Sequence, residues 1–252
     1  MKVIYLGDIY GENGIKSLEK FLPKLKEEYP HDLLIANGEN VSGGLGLNKA
    51  DYKTLMKLGI RGVTLGNHAF SKDELYDYIE DSNIVKPLNY PKNTPGKNVL
   101  KINFNGQHLC VCQVMGQVFM NGSLNHPFEA IDEMLNTLEC DYVMVDIHAE
   151  ATSEKLAMGH FLDGRVNAVL GTHTHVPTGD AMRLPKGTLY QTDVGMCGTK
   201  YGILGADKDR VLQKFLSGMP TRLFPHNENI LQLNATFLDF EKNIIKTIQY
   251  ID

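Results

Sequence analysis

The sequence has no tryptophan, only four cysteines in 252 residues, and no excess of basic side chains. Its 25 lysines and arginines are outnumbered by 30 aspartates and glutamates, so the net charge is −5 and the isoelectric point is near 6.0. No apolar stretch approaches the roughly 20 residues that span a bilayer. These absences argue against a membrane protein and a general nucleic-acid-binding protein. A small anionic substrate stays compatible, because bound cations can reverse the local charge.

The cysteines form neither a CxxC zinc pattern nor a disulfide framework. They are Cys110, Cys112, Cys140 and Cys197. Cys110 and Cys112 alternate in an apolar strand and therefore share one face of it. We expect buried, free thiols in a reducing compartment. The N-terminal residues turn polar too soon for a signal peptide, which also favours a cytoplasmic protein.

The first third of the chain alternates between predicted strands and helices. Helical periodicity covers residues 14–28, and a second helix begins after Asn48 as N-cap and ends before Gly59. The capping-box sequence at Ser71 predicts a third helix. Such alternation predicts parallel strands with right-handed crossovers.

A β-hairpin follows, because Asn105-Gly106 is the dipeptide favoured in type I′ turns. Its strands cover 99–104 and 107–114. The later predicted elements are helices over 127–138 and 153–161, strands ending at 147 and 170, a strand over 187–192 and a closing pair over 230–237 and 243–250. No linker interrupts the chain, so we predict one α/β domain, residues 1–252, with two facing sheets covered by helices.

Five polar clusters each follow a short apolar run that is typical of a buried strand. They are Gly7-Asp8, Gly38-Glu39-Asn40, Gly66-Asn67-His68, Asp146-Ile147-His148 and Gly171-Thr172-His173-Thr174-His175. Ligands of an open α/β sheet collect at the carboxyl ends of its strands. If these strands lie side by side, the carboxylates, amides and imidazoles meet at one rim, which predicts a metal site.

The clusters differ in how strongly they indicate metal. Asp8 alone could be a helix N-cap, and Glu39-Asn40 alone could be an ordinary loop pair. Asn67-His68 ends a strand where a surface loop needs no imidazole. His173 and His175 are decisive, because strand alternation would place both rings on one side and imidazole is the commonest transition-metal ligand.

In this order the clusters resemble the calcineurin-like metallophosphoesterase superfamily. The chain looks most like one bacterial branch, the YmdB-like 2′,3′-cyclic-nucleotide phosphodiesterases. The stretches that carry this closer resemblance are Leu6-Gly7-Asp8-Ile9-Tyr10-Gly11, Ala36-Asn37-Gly38-Glu39-Asn40, Leu65-Gly66-Asn67-His68 and Thr192-Asp193-Val194-Gly195-Met196. The resemblance implies a four-layer α-β-β-α sandwich in which helices flank two facing mixed sheets.

Three positions depart from the wider superfamily. Tyr10 stands where a histidine is usual, and Glu39 stands where an aspartate bridges the metals. Both changes resemble the YmdB-like branch. Ala69 replaces an acidic residue that orients the catalytic histidine in many relatives, so the partner of His68 is not predicted.

The resemblance implies a role for each matching position. Asp8, Glu39 and His175, helped by Asn40, would hold one metal ion, and Glu39, Asn67, His148 and His173 would hold the other. Glu39 would bridge two divalent or trivalent ions, iron or manganese, with zinc also compatible. A hydroxide between the ions would attack phosphorus. His68 would bind the phosphate, with Asn40, and protonate the leaving alkoxide.

The implied function is metal-dependent hydrolysis of 2′,3′-cyclic nucleotides or similar small phosphodiesters. Two alternatives stay open: a slow-turnover regulatory or RNA-associated binding protein, and a phosphomonoesterase, such as a protein phosphatase, with the same site. No arginine adjoins the five clusters, which favours a diester over a dianionic monoester. A metallo-β-lactamase-like enzyme is excluded, because Val176-Pro177-Thr178 follows His175. The closing strand pair offers an edge for a homo-oligomer.

Overall fold

The computed structural model describes residues 1–252, which form fourteen strands and five α-helices. The strands are β1 Lys2–Leu6, β2 Asp8–Ile9, β3 Leu33–Asn37, β4 Gly62–Thr64, β5 Ile84–Val85, β6 Val99–Phe104, β7 Gln107–Met115, β8 Tyr142–His148, β9 Ala168–Thr172, β10 Met182–Arg183, β11 Leu189–Gln191, β12 Met196–Thr199, β13 Leu231–Asp239 and β14 Ile244–Ile251. The helices are α1 Gly11–Glu28, α2 Lys49–Lys57, α3 Pro127–Leu135, α4 Thr152–Leu162 and α5 Lys208–Ser217. None of these helices has the length and apolar character of a membrane span.

The strands form two mixed sheets. The eight-stranded sheet has the order β2-β12-β13-β1-β3-β4-β5, with β14 also paired to β13. The six-stranded sheet has the order β10-β11-β9-β8-β7-β6. β1 runs parallel to β3 and antiparallel to β13, and β7 runs parallel to β8 and antiparallel to β6. The parallel strands therefore bring several carboxyl ends to the same side of each sheet.

Alternate residues of β1 serve two different cores, as the period of a strand requires. Val3 and Tyr5 pack between the sheets with Met144 of β8. Ile4 and Leu6 point the other way and belong to the apolar cluster that α1 and α2 cover. A third cluster lies under α3 and α4 on the far face of the second sheet. The four-layer α-β-β-α sandwich is therefore confirmed.

Local signals located several elements correctly. The Asn48 side chain caps α2 by accepting a hydrogen bond from the Asp51 backbone N–H at 2.8 Å. Asn105 and Gly106 have φ values of 51° and 84°, as a type I′ turn between β6 and β7 requires. Both predictions depend on contacts between residues close in sequence, and both are confirmed.

The prediction of a helix that begins at Ser71 is wrong. The chain instead continues the turn that leaves His68, with the Ser71 N–H donating to the His68 carbonyl. Only a short 3₁₀ helix, Asp73–Asp77, follows, and no side chain caps it. This turn therefore stands where the capping sequence predicts the start of a helix.

The prediction of free thiols is wrong for one pair of cysteines. Cys110 of β7 and Cys140 form a disulfide with their Cα atoms 6.1 Å apart, whereas Cys112 and Cys197 are free and buried. Cys110 lies opposite Val143 in the parallel pairing of β7 and β8, so the chain that enters β8 passes beside it. A separation of 30 residues hides this proximity in the sequence.

Candidate metal centre

The predicted ligand residues meet where carboxyl ends of strands from both sheets come together. Glu39 follows β3, and its Oε1 lies 3.2 Å from Nε2 of His148 at the end of β8. The same nitrogen lies 3.0 Å from Asn67 Oδ1 and 3.2 Å from His173 Nδ1. One ligand atom each from Glu39, His148 and His173 lies within 4.8 Å of the others. This grouping corresponds to one of the two predicted ligand sets.

Asp8, Asn40 and His175 form an adjacent grouping. His175 Nε2 lies 3.7 Å from Asp8 Oδ1 and 3.3 Å from Asn40 Oδ1. The other ring nitrogen, Nδ1, lies 2.9 Å from the carbonyl oxygen of Leu204. Donation from Nδ1 to this carbonyl leaves the Nε2 lone pair directed into the cluster. The structure therefore brings all seven predicted ligand residues together, and their binding of metal stays a prediction.

The two histidines at the end of β9 reach the cluster by a turn. His173 and His175 have φ values of 97° and 65°, in the left-handed region that non-glycine residues rarely occupy. β9 ends at Thr172, so the predicted strand alternation is wrong although both rings lie in the site. On a straight strand, the His173 and His175 rings would not both reach the predicted ligands from the other sheet. The tight turn after β9 directs both rings toward them.

A buried ion pair holds this strained turn. The Asp193 Oδ2 atom accepts hydrogen bonds from the Thr174 N–H at 3.1 Å and the Thr174 hydroxyl at 2.8 Å. Lys155 of α4 donates to the same oxygen at 2.7 Å and to the Thr172 carbonyl at 2.6 Å. Both charged side chains are buried. Their hydrogen bonds fix the backbone on either side of His173.

The charged side chains of the cluster shift one another's pKa values. Burial raises the pKa of Asp8 to about 6, against the pull of His175 and His148. Burial alone would also raise the pKa of Glu39, but the adjacent His148 brings it down to about 2. Burial would lower the pKa of His148, but Glu39 and Asp8 raise it to about 9. His173 has its pKa lowered to about 3 by burial and by the positive His148.

These residues fit a bound cation. Asp8 Oδ1 is buried and has no hydrogen-bond partner in the protein, a costly state for a carboxylate oxygen. A metal ion would satisfy it and would replace the proton with which His148 balances Glu39. Carboxylate and amide oxygens together with imidazole nitrogens are the ligand mixture that first-row transition metals accept.

A cleft of about 350 Å³ opens over the cluster. Its lining includes Tyr10, Gly43, Gly44, Leu45, His68, Glu150, Thr174, Leu204 and Leu223. His68 is half-buried there, and its backbone N–H donates to Glu39 Oε2 at 2.9 Å. Its imidazole makes no hydrogen bond, and burial lowers its pKa, with Glu39 opposing the shift.

The model of the YmdB-like protein family matches residues 4–251. The chain belongs to this family. It is 40% identical over 252 residues to the 2′,3′-cyclic-nucleotide 2′-phosphodiesterase of Bacillus subtilis, a match covering 99% of this chain and 95% of that relative.

Solved structures agree with the family assignment. A hypothetical protein from Thermus thermophilus superposes with a TM-score of 0.94 at 46% identity, over 100% of both chains. A phosphatase from Mycoplasma pneumoniae superposes with a TM-score of 0.92 at 34% identity, over 100% of this chain and 93% of that one. The predicted family, fold class and enzyme class, a phosphoester hydrolase, are confirmed.

Sequence reasoning missed two groups that contact predicted ligand residues in this YmdB-like chain. Glu150 Oε2 lies 3.1 Å from His173 Nε2, the ring nitrogen that faces away from His148. A carboxylate two residues after His148 was a detectable signal, since second carboxylates often orient metal-binding histidines. The Leu204 carbonyl beside His175 had no such signal, because every residue carries a backbone carbonyl.

Proposed function

We propose that the protein is a metal-dependent phosphodiesterase that opens 2′,3′-cyclic nucleotides or similar small phosphodiesters. The observation that carries this proposal is the buried carboxylate–imidazole cluster, with an unpartnered Asp8 oxygen, at the floor of a cleft that His68 lines. The substrate class is supported by the likeness to the Bacillus subtilis phosphodiesterase, which extends over 99% of this chain.

Two metal ions are part of the proposal. Asp8, Asn40 and His175 would hold one ion, Asn67, His148 and His173 would hold the other, and Glu39 would bridge them. Iron or manganese suits this ligand set, and zinc is also compatible. When bound, such ions supply positive charge for the phosphoryl oxygens and a water-derived nucleophile near neutral pH.

His68 is the proposed general acid. Its imidazole lines the cleft without an internal hydrogen-bond partner, so both ring nitrogens are available to substrate. When water adds to phosphorus and the bond to the ribose 2′ oxygen breaks, the His68 proton passes to that oxygen. The proton lost by the attacking water goes to solvent, from which His68 is protonated again. The product is a 3′-nucleotide. General acid catalysis of this kind typically contributes about 10²- to 10⁴-fold to the rate.

The lining of the cleft favours a diester. Apart from histidines, its side chains are neutral or, at Glu39 and Glu150, acidic. A diester monoanion suits this lining better than a monoester dianion, which usually pairs with arginine or lysine. Leu45, Leu204 and Leu223 add apolar surface for the organic part of the substrate. Asn40 and His68 are the proposed phosphate contacts.

Turnover of 2′,3′-cyclic AMP tests the proposal. His68→Ala should lower kcat by at least about 100-fold while bound metal, measured by mass spectrometry, stays unchanged. His160→Ala, at an exposed position on α4, is the matched control and should retain activity. Bis-p-nitrophenyl phosphate and p-nitrophenyl phosphate separate diesterase from monoesterase activity.

Three outcomes would contradict the proposal. Full turnover by metal-stripped protein would exclude a metal-dependent reaction. Hydrolysis of the monoester alone would indicate a phosphomonoesterase. Saturable binding of the cyclic nucleotide without product would indicate a regulatory binding protein.

A further inference from the structure

A buried column of hydrogen bonds lies beneath the cluster of predicted ligand residues. His148 Nδ1 lies 2.8 Å from the Thr172 hydroxyl oxygen, and this hydroxyl donates to Asp146 Oδ1 at 2.7 Å. All three residues are 0% exposed. Because the single Thr172 hydroxyl proton goes to Asp146, the bond to His148 requires a hydrogen on Nδ1. The Nε2 atom is then the nitrogen that faces Glu39, Asn67 and His173.

Asp146 is held in place by groups from both sheets. Its Oδ2 atom accepts hydrogen bonds from the Tyr5 hydroxyl of β1 at 2.7 Å and from Gln113 Nε2 of β7 at 2.7 Å. Asn37 of β3 adds a longer contact at 3.4 Å. Both Asp146 oxygens accept hydrogen bonds, and the carboxylate cannot rotate without losing them. Its Oδ1 atom therefore has a fixed direction toward Thr172.

We propose that Thr172 and Asp146 are positioning residues that fix the ring orientation and the tautomer of His148. Carboxylate support of a ligating imidazole is usually direct, whereas here a hydroxyl relays it. The inference rests on the proposed function only in taking His148 as a metal ligand. The hydrogen bonds that join the two sheets at Asp146 then have a role in the site, because through Thr172 they set the direction of the His148 ring.

Substitution of Thr172 separates the relay from simple packing. Thr172→Val keeps the shape and removes the hydroxyl, whereas Thr172→Ser keeps the hydroxyl. Titration calorimetry with Mn²⁺ should show one of two sites weakened by about 10- to 100-fold in Thr172→Val. Thr172→Ser should stay close to the parent. Thr199→Val is the matched control, since Thr199 is also buried and its hydroxyl has no partner.

A spectroscopic readout reports the tautomer independently of turnover. In the parent with ¹⁵N-labelled histidine, His148 should show a Nδ1–H signal protected from exchange, both without metal and with Zn²⁺. Thr172→Ser should retain this signal, and Thr172→Val should lose it.

Unchanged Mn²⁺ affinity in a folded Thr172→Val protein would overturn the inference. If that variant fails to fold, the parent spectrum alone decides, because an unprotected or absent Nδ1–H signal would also overturn it. Neither readout uses hydrolysis, so an inactive parent would refute the proposed function and leave this inference standing.

Discussion

Gly66 has no room for a side chain beside the predicted ligands. A Cβ atom built there would overlap Glu39 Oε2 and His148 Nε2, two of the proposed metal-binding atoms. Gly66→Ala should therefore push both ligands apart and weaken Mn²⁺ binding by at least about 10-fold. Overpacking should also lower the free energy of unfolding by about 1–3 kcal/mol. Calorimetric titration and urea unfolding measure the two effects.

Gly179→Ala is the matched control, because a Cβ atom at Gly179 would meet nothing within 4 Å. This variant should bind Mn²⁺ and unfold like the parent. Equal Mn²⁺ affinity in Gly66→Ala and Gly179→Ala would show that Glu39 and His148 do not need their observed spacing.

Helix α4 contributes to the site through one buried side chain. Lys155 pairs with Asp193 at 2.7 Å, and both side chains are almost completely excluded from solvent. Lys155→Met should leave an unpaired buried carboxylate and lower the free energy of unfolding by about 3–5 kcal/mol. The double variant Lys155→Met/Asp193→Asn should recover part of this loss, since no charge is then left unpaired. Urea unfolding of the two variants and of Asp193→Asn measures the coupling.

Lys16→Met in α1 is the control for removing a paired lysine. Lys16 lies 2.8 Å from Glu12, but both side chains are largely exposed, so its loss should change stability by less than about 1 kcal/mol. Similar losses in Lys155→Met and Lys16→Met would contradict the role given to the buried pair. Mn²⁺ affinity should fall in Lys155→Met but not in Lys16→Met, because only Lys155 of these two lysines holds the His173 turn.

At the scale of elements, the sequence predicts what local interactions decide. Apolar runs marked the strands of both sheets, Asn48 marked the start of α2, and Asn105-Gly106 marked the hairpin. The turn that carries His173 was not predictable, because its left-handed backbone is stabilised by Lys155 and Asp193 from distant parts of the chain. α5 was also missed, since much of its apolar surface remains exposed and gives no buried stripe to recognise.

At the scale of the molecule, the site exists only because two sheets face each other. Asp8, Glu39 and Asn67 follow strands of the first sheet, whereas His148 and His173 follow strands of the second. The sequence predicts that each group lies at a strand end, and the resemblance to metallophosphoesterases supplied their grouping. The distances between the groups depend on how the sheets pack, and Asp146 links the two sheets next to the site through Tyr5 and Gln113.

The metal-free protein should be less stable than the metal-bound protein, because the Asp8 carboxylate is buried without a partner for one oxygen. Asp8 is buried with one oxygen unpartnered, and burial raises its pKa to about 6. Mn²⁺ at 100 times its dissociation constant should add about 2.7 kcal/mol to the free energy of unfolding. For a chain of this size, that corresponds to an increase of roughly 5–10 °C in Tm. Excess EDTA should reverse the increase, as scanning calorimetry can show.

Asp8→Asn should raise the unfolding temperature of the metal-free protein and reduce the increase that Mn²⁺ produces. Without metal it should unfold at a higher temperature than the parent, because a neutral amide is less costly to bury than an unpartnered carboxylate. With Mn²⁺ it should gain less than the parent, because one charged ligand is missing. Asp73→Asn, at an exposed position, should show the parent's full increase. An equal Mn²⁺ effect in Asp8→Asn and the parent would show that Asp8 does not bind the metal. A higher unfolding temperature without metal, together with a smaller Mn²⁺ effect, would show that Asp8 favours metal binding at the expense of the stability of the metal-free protein.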